Sequence, residues 1–119
     1  MPTEDQESLV HSWLTFKRHW WAFDALDDLC RDNPEKAWLV VAALVDAADT
    51  EELLGAVGAG PLEDLLSEHG ATFVERAEIE AHTNARFAIA LRNVWLSEQD
   101  SEIAKRLLAI GCQYVAPAK

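Results

Sequence analysis

The chain has 119 residues, half of them apolar, which is enough to build one hydrophobic core without disulfide or metal staples. Its 21 acidic and 10 basic residues give a net charge of −11 at pH 7, a field that repels phosphate backbones and anionic lipid headgroups. Direct nucleic-acid binding and membrane-surface binding are therefore disfavoured. The longest apolar run, Ala37 to Val45, is nine residues, against the ~20 needed to span a bilayer.

Strand signals are weak, because Ala, Leu and Glu dominate and apolar residues recur at three and four, so the spacing predicts seven or eight short helices. The opening, Met1 to Ser8, carries Glu4, Asp5 and Glu7 and no basic residue, the reverse of a secretory leader. A first helix is expected from Thr3 or Asp5 to Arg18, with Leu9, Trp13 and Phe16 on one face. A second, about Trp20 to Asp32, places Phe23, Leu26 and Cys30 on one stripe and turns Asp24, Asp27 and Asp28 outward. Asn33 and Pro34 mark a stop and a restart.

The third helix, about 34–48, opens with Pro34 and Glu35 and is apolar all round, so it is placed at the centre of the fold with the others packed around it. Asp49 or Thr50 caps a fourth helix, Glu51 to Val57, which Gly55, Gly58 and Gly60 are expected to end. Pro61 opens a fifth, Leu62 to His69, with Gly70 as its left-handed C-terminal residue. Thr72 and Glu75 read as a capping box for a sixth, about Phe73 to His82. Asn84 caps a seventh, Ala85 to Leu96, whose stripe includes Val94 and Trp95. Asp100 or Ser101 caps the last, which buries Ile103, Leu107 and Leu108 and ends before Gly111.

These elements predict an all-α fold: a compact bundle around a central apolar helix, with a small α-solenoid of antiparallel pairs as the alternative. One helical domain is expected over 1–111, followed by a frayed C-terminal tail over 112–119 that has no periodicity. Cys30 and Cys112 have no CxxC context, which fits free thiols in a reducing cytoplasm.

The charges are not spread evenly. Between Lys36 and Arg76 there is no Lys or Arg, yet those 39 residues hold eight acids: Asp46, Asp49, Glu51, Glu52, Glu63, Asp64, Glu68 and Glu75. The rest of the chain has 13 acidic and 10 basic residues, so most of the net charge falls in one contiguous third. Helix capping accounts for several of these positions one by one, but not for the absence of every compensating cation. A negative surface of this kind attracts a basic partner. Trp20 and Trp21 are candidate aromatic anchors, since neighbours on a helix point about 100° apart and both are not buried equally.

Catalytic and metal motifs are weak. His11 and His19 stand alone, no HExxH occurs, and no serine lies in a GxSxG turn, so no catalytic residue, metal ligand or cofactor is assigned. The run Gly55 to Gly60 lacks the preceding strand and following Lys of a phosphate loop and reads as a helix-to-helix turn.

The stretch Gly58-Ala59-Gly60-Pro61-Leu62-Glu63-Asp64-Leu65-Leu66, with His69-Gly70, Phe73, Glu75, Arg76, Glu78, Ala81, Phe87 and Val94-Trp95, and with Pro34-Glu35 and Ala37-Trp38 before it, resembles a bacterial family known as a domain of unknown function (number 6869). The resemblance covers roughly Trp20 to Trp95 and implies a small helical protein, without bringing any catalytic residue. It raises the convergence of Glu63 and Asp64 with Arg76 and Glu78 on one surface, against a simple Arg76 to Glu80 pair at i and i+4.

The expectation from these readings is a non-enzymatic module that binds and blocks a basic protein, as an immunity protein does with a nuclease toxin or as a nucleic-acid mimic does. Asp46, Asp49, Glu51, Glu52, Glu63, Asp64 and Glu68 would form its binding surface. The alternative is a small metal-dependent enzyme whose Glu63, Asp64, His69, Glu78 and His82 meet across helices. The oligomeric state stays open.

Overall fold

The computed structural model describes residues 9–11, 13–14, 20–96 and 101–114, and within them the chain is all-α. Its helices are α1 (Trp20–Asp32), α2 (Pro34–Ala47), α3 (Glu51–Val57), α4 (Glu63–Thr83), α5 (Ala85–Leu91) and α6 (Glu102–Ala109). These six α-helices stand against the seven or eight expected: the fifth and sixth predicted helices are one, and of the first predicted helix only residues 9–11 and 13–14 are described, as helix. Two-residue strands, β1 (Trp95–Leu96) and β2 (Gln113–Tyr114), pair in parallel.

Several boundaries follow from local chemistry. The Asn33 side chain accepts from Lys36 N–H, with Pro34 in the first turn of α2, where its missing N–H costs nothing. Thr50, not Asp49, caps α3, its hydroxyl accepting from Leu53 N–H at 3.1 Å. Asn84 accepts from the N–H groups of Arg86 and Phe87, and Ser101 accepts from Ala104 N–H, each cap worth ~1 kcal/mol. Helix α6 ends ahead of Gly111, whose φ of +121° suits glycine.

The glycine-rich stretch departs from expectation. Gly55, Gly58 and Gly60 do not end α3. Instead Gly58–Leu62 forms a π turn that leads straight into α4. Pro61 has no N–H to donate, and the wider turn passes the bonding on to Glu63, whose N–H reaches the Gly58 and Gly60 carbonyls. Gly58 is helical (φ −64°, ψ −47°), so its role is proximity rather than a left-handed turn: a Cβ there would lie 1.9 Å from the Ala90 carbonyl oxygen.

The fifth and sixth predicted helices are likewise one. Helix α4 runs from Glu63 to Thr83 through a kink at His69 (φ −132°, ψ 31°). Gly70 does not terminate it, and Thr72 is interior rather than a cap. Gly70 is buried where α6 crosses, and a Cβ there would meet Ile103 Cγ2 at 3.0 Å. The seventh helix is shorter than its apolar stripe implied. It stops at Leu91, and Trp95 belongs to β1.

Helix α2 lies against α1, α3, the π turn, α4 and α5, which makes it the central helix. Ala37, Val40, Val41, Leu44 and Val45 are fully enclosed. One side nevertheless faces solvent, with Leu39 at 59% exposure, so an all-apolar helix is not covered all round. Trp38 stacks on Phe73 with ring centroids 5.4 Å apart and tilts against Phe87 at 5.6 Å, joining α2, α4 and α5. Leu9 and Trp13 are buried in the same core, while Phe16 lies outside the described residues. At the other end Cys112 is buried and Gln113 N–H donates to the Val94 carbonyl at 2.7 Å, while residues 115–119 lie outside the described part.

Candidate acidic surface and the cavity beside it

The acidic run is carried by two pieces of structure. Asp46, Asp49, Glu51 and Glu52 are exposed around the turn from α2 to α3. Glu63, Asp64 and Glu68 lie on the first turns of α4, beyond the π turn. From Glu52 to Glu63 the helical path rises roughly 16 Å at 1.5 Å per residue. Among the described residues none of these seven, nor Glu75, is in an ion pair.

Five of the seven described Lys and Arg residues, all but Lys36 and Arg92, are held elsewhere. Arg76 forms a two-pronged pair with Glu35 of α2, at 2.7 and 3.0 Å, and its guanidinium also sits 5.1 Å from the Phe73 ring centre. Arg106 of α6 is bound through both prongs to Glu78, Nε to Oε2 at 3.0 Å. Arg31 pairs with Asp28, and Lys105 with Glu102. Arg86 donates from Nε to the Val45 carbonyl at the C-terminal end of α2, where a cation meets the negative end of the dipole. Arg76 thus pairs across 41 positions and not with Glu80. Glu63 and Asp64 lie on the other side of the kink at His69 from Arg76 and Glu78, and each of the latter two is engaged by a different helix.

Within the α4 group the charges act on one another. Burial raises the Asp64 carboxyl to about 6, helped by the nearby charge of Asp27 on α1, a carboxyl-to-carboxyl hydrogen bond with Asp27, and the charges of Glu68 and Glu63. In the sequence Asp27 is an outward-facing residue of the second predicted helix, and no linear signal links it to Asp64. Beneath this group the buried Cys30 thiol donates to the Pro61 carbonyl at 3.6 Å. Burial, with Asp64, Asp27 and Glu68 adding to it, pushes that thiol up to about 12. Cys112 is pushed to about 12 by burial and by Glu63. Both thiols are free and neither is activated. At the two arginine pairs the sign reverses: hydrogen bonding to Arg76 and Arg106 holds Glu35 of α2 and Glu78 of α4 below the usual carboxylate range.

Glu63 has a further task. Its Oε1 accepts from the backbone N–H of Trp95 at 2.7 Å, tying β1 to the start of α4. Trp95, expected in an apolar stripe, is 49% exposed beside that contact. The side chains of Trp20 and Trp21, the anchors nominated from sequence, lie outside the described residues.

Of the metal-ligand candidates, Glu63 accepts from Trp95 N–H, Asp64 faces Asp27, Glu78 holds Arg106 with the exposed His82 near it, and His69 Nε2 is buried at the kink without a hydrogen-bond partner. Among the described residues no three of His, Cys, Asp and Glu gather as a metal-binding group, and no helix is long and apolar enough to cross a membrane.

Between α4, β1 and α6 lies an open cavity of about 280 Å³. Among the described residues Leu66, Ile103 and Leu107 supply apolar wall, Ser67 and Ser101 hydroxyls, and Glu68 the one charge.

No curated protein and no solved structure matches the chain. A family model, described as a family of unknown function (DUF6869), matches residues 11–115, which takes in the central helix, the π turn, the kinked α4 and the unpaired acids alike. The chain belongs to that family.

Proposed function

We propose that the protein is a small acidic interaction module that binds a basic protein surface and blocks it. The observation that carries this reading is the segregation of charge in three dimensions. All eight acids between Lys36 and Arg76 are free of ion pairs among the described residues, while Arg31, Arg76, Lys105 and Arg106 are bound to acids outside that interval. Unpaired carboxylates on a chain of net charge −11 steer a cationic partner and raise its association rate. Asp46, Asp49, Glu51 and Glu52 at one end, and Glu63, Asp64 and Glu68 at the other, give the partner two negative footholds. Exposed Trp95 adds an aromatic group of the kind enriched at binding hot spots. The two buried free thiols support residence in a reducing compartment such as the cytoplasm.

The test is binding to poly-lysine at graded ionic strength. Affinity should fall steeply between about 50 and 200 mM salt, since exposed charges farther apart than ~10 Å are screened there. Glu51→Lys combined with Glu52→Lys should weaken it by about tenfold or more. Binding that ignores both salt and charge reversal would rule the reading out.

A further inference from the structure

We infer that the cavity between α4, β1 and α6 receives a single cationic side chain, a lysine or arginine, from the basic partner. This inference rests on the function proposed above and assigns the place where the partner's anchor enters.

The cavity has the two parts such a side chain needs. Leu66, Ile103 and Leu107 offer an apolar wall for a methylene stem, and a long cationic side chain buries its stem while keeping its charged end near polar groups. At the polar edge Glu68 supplies the one carboxylate of the described lining, which also includes Ser67 and Ser101. Ser101 Oγ already accepts from Ala104 N–H, which leaves its remaining lone pair and its own proton for a ligand. Among the described residues Glu68 has no ion pair of its own. Its charge reaches Arg31, but Arg31 is bound to Asp28. No Lys or Arg is among the described residues that line the space; Arg106 is drawn to Glu78 and Lys105 to Glu102.

The volume, about 280 Å³, lies near the lower end of the ~300–1,000 Å³ typical of small-ligand pockets, so one side chain fits it better than a large cofactor does. An anionic ligand would meet Glu68 directly, with Asp64 one helical turn away, and a purely apolar one would leave the carboxylate and hydroxyls without compensation.

The probes are Nα-acetyl-lysine methylamide and its uncharged norleucine counterpart, titrated into the full chain and followed by amide chemical shifts. The lysine probe should move Ser67, Ala71 and Ile103 saturably and bind at least about tenfold more tightly than norleucine, the worth of a charge-assisted hydrogen bond. Ala71→Phe, at an exposed position of the cavity edge, should abolish these shifts by filling the space, and Glu68→Gln should remove the preference for lysine. Equal binding of both probes, or lysine shifts that persist in Ala71→Phe, would overturn the inference. If poly-lysine binding responds to salt and to Glu51→Lys/Glu52→Lys yet ignores Ala71→Phe and Glu68→Gln, the cavity assignment fails and the acidic surface stands. If poly-lysine binding responds to none of these, both fail.

Discussion

The two halves of α4 use charge differently, although Glu75, after the kink, is in no ion pair among the described residues either. After the kink at His69, Arg76 and Glu78 are each clamped by a partner from another helix, so charge serves to tie α2 and α6 onto α4. Before the kink, Glu63, Asp64 and Glu68 pair with no cation among the described residues, and Asp27 is added to them from α1. A helix that stabilised itself by charge alone would not combine the two. Unpaired carboxylates that oppose one another cost stability at neutral pH, a cost that agrees with the binding surface proposed above.

The contrast depends first on the junction that sets the acidic half in place, and its failure has the largest expected effect. Gly58→Ala would drive a methyl into the Ala90 carbonyl, where backbone cannot yield cheaply, and should cost about 3 kcal/mol or more in urea unfolding, or prevent folding outright. Gly60→Ala is the control. Its Cβ would meet only Trp13 Cζ2 at 3.8 Å, and the change should be neutral or stabilise by roughly 0.5–1 kcal/mol. If both variants behaved alike, the close contact with α5 would not be what holds the π turn.

Next comes the sign of the pH dependence. Asp64 titrates near 6 in the folded chain, above the ordinary carboxylate value, so the native state holds its proton more tightly than the unfolded state does. That contribution is complete below pH ~4 and is lost as pH rises through about 6. Lowering pH from 7.5 to 5 should therefore stabilise the protein through Asp64 by about 1 kcal/mol, after a discount for solvent screening. Asp64→Asn should raise stability at pH 7.5 and flatten this part of the profile. Glu35 and Glu78 behave the other way: their folded values are depressed, so what they contribute at neutral pH is lost as pH falls below the usual carboxylate range. A profile that declines steadily from pH 7.5 to 5 would contradict the difference between the two halves.

The smallest effect belongs to the paired half. Arg76 and Glu35 are 44% and 61% exposed at the side chain, so Arg76→Ala should lower Tm by no more than about 3 °C despite its good geometry. A larger loss would mean that the guanidinium over Phe73 matters more than the ion pair, and Arg76→Lys would separate the two.

Much of the helical pattern was legible in sequence because caps and stripes are local. Asn33, Thr50, Asn84 and Ser101 each mark a helix start by a side chain that accepts from its own next turn, and that chemistry needs no tertiary partner. The glycines misled for a physical reason. Gly58 and Gly70 look like helix ends, but each is small because another helix comes close, Ala90 in one case and Ile103 in the other, and distance in space leaves no mark on linear spacing. Trp95 misled similarly: its spacing fits the stripe of α5, but the chain leaves the helix after Leu91 and pairs with Gln113 instead. The acidic run could be read directly, since it is a property of order along the chain. Its relation to Asp27, the exposed Trp95 and the cavity edged by Glu68 could not.

The sequence by itself determined an all-helical chain, a central apolar helix and a stretch of 39 residues without a positive side chain. Helix propensity, capping and charge order are short-range properties that neighbouring residues settle among themselves. Only the tertiary structure decided which cations were spent on which acids, since Arg76 reaches Glu35 across 41 positions and Arg106 reaches Glu78 across 28. It also decided which glycines were spacers and where a carboxylate met an apolar cavity, because these depend on how helices far apart in the chain approach one another.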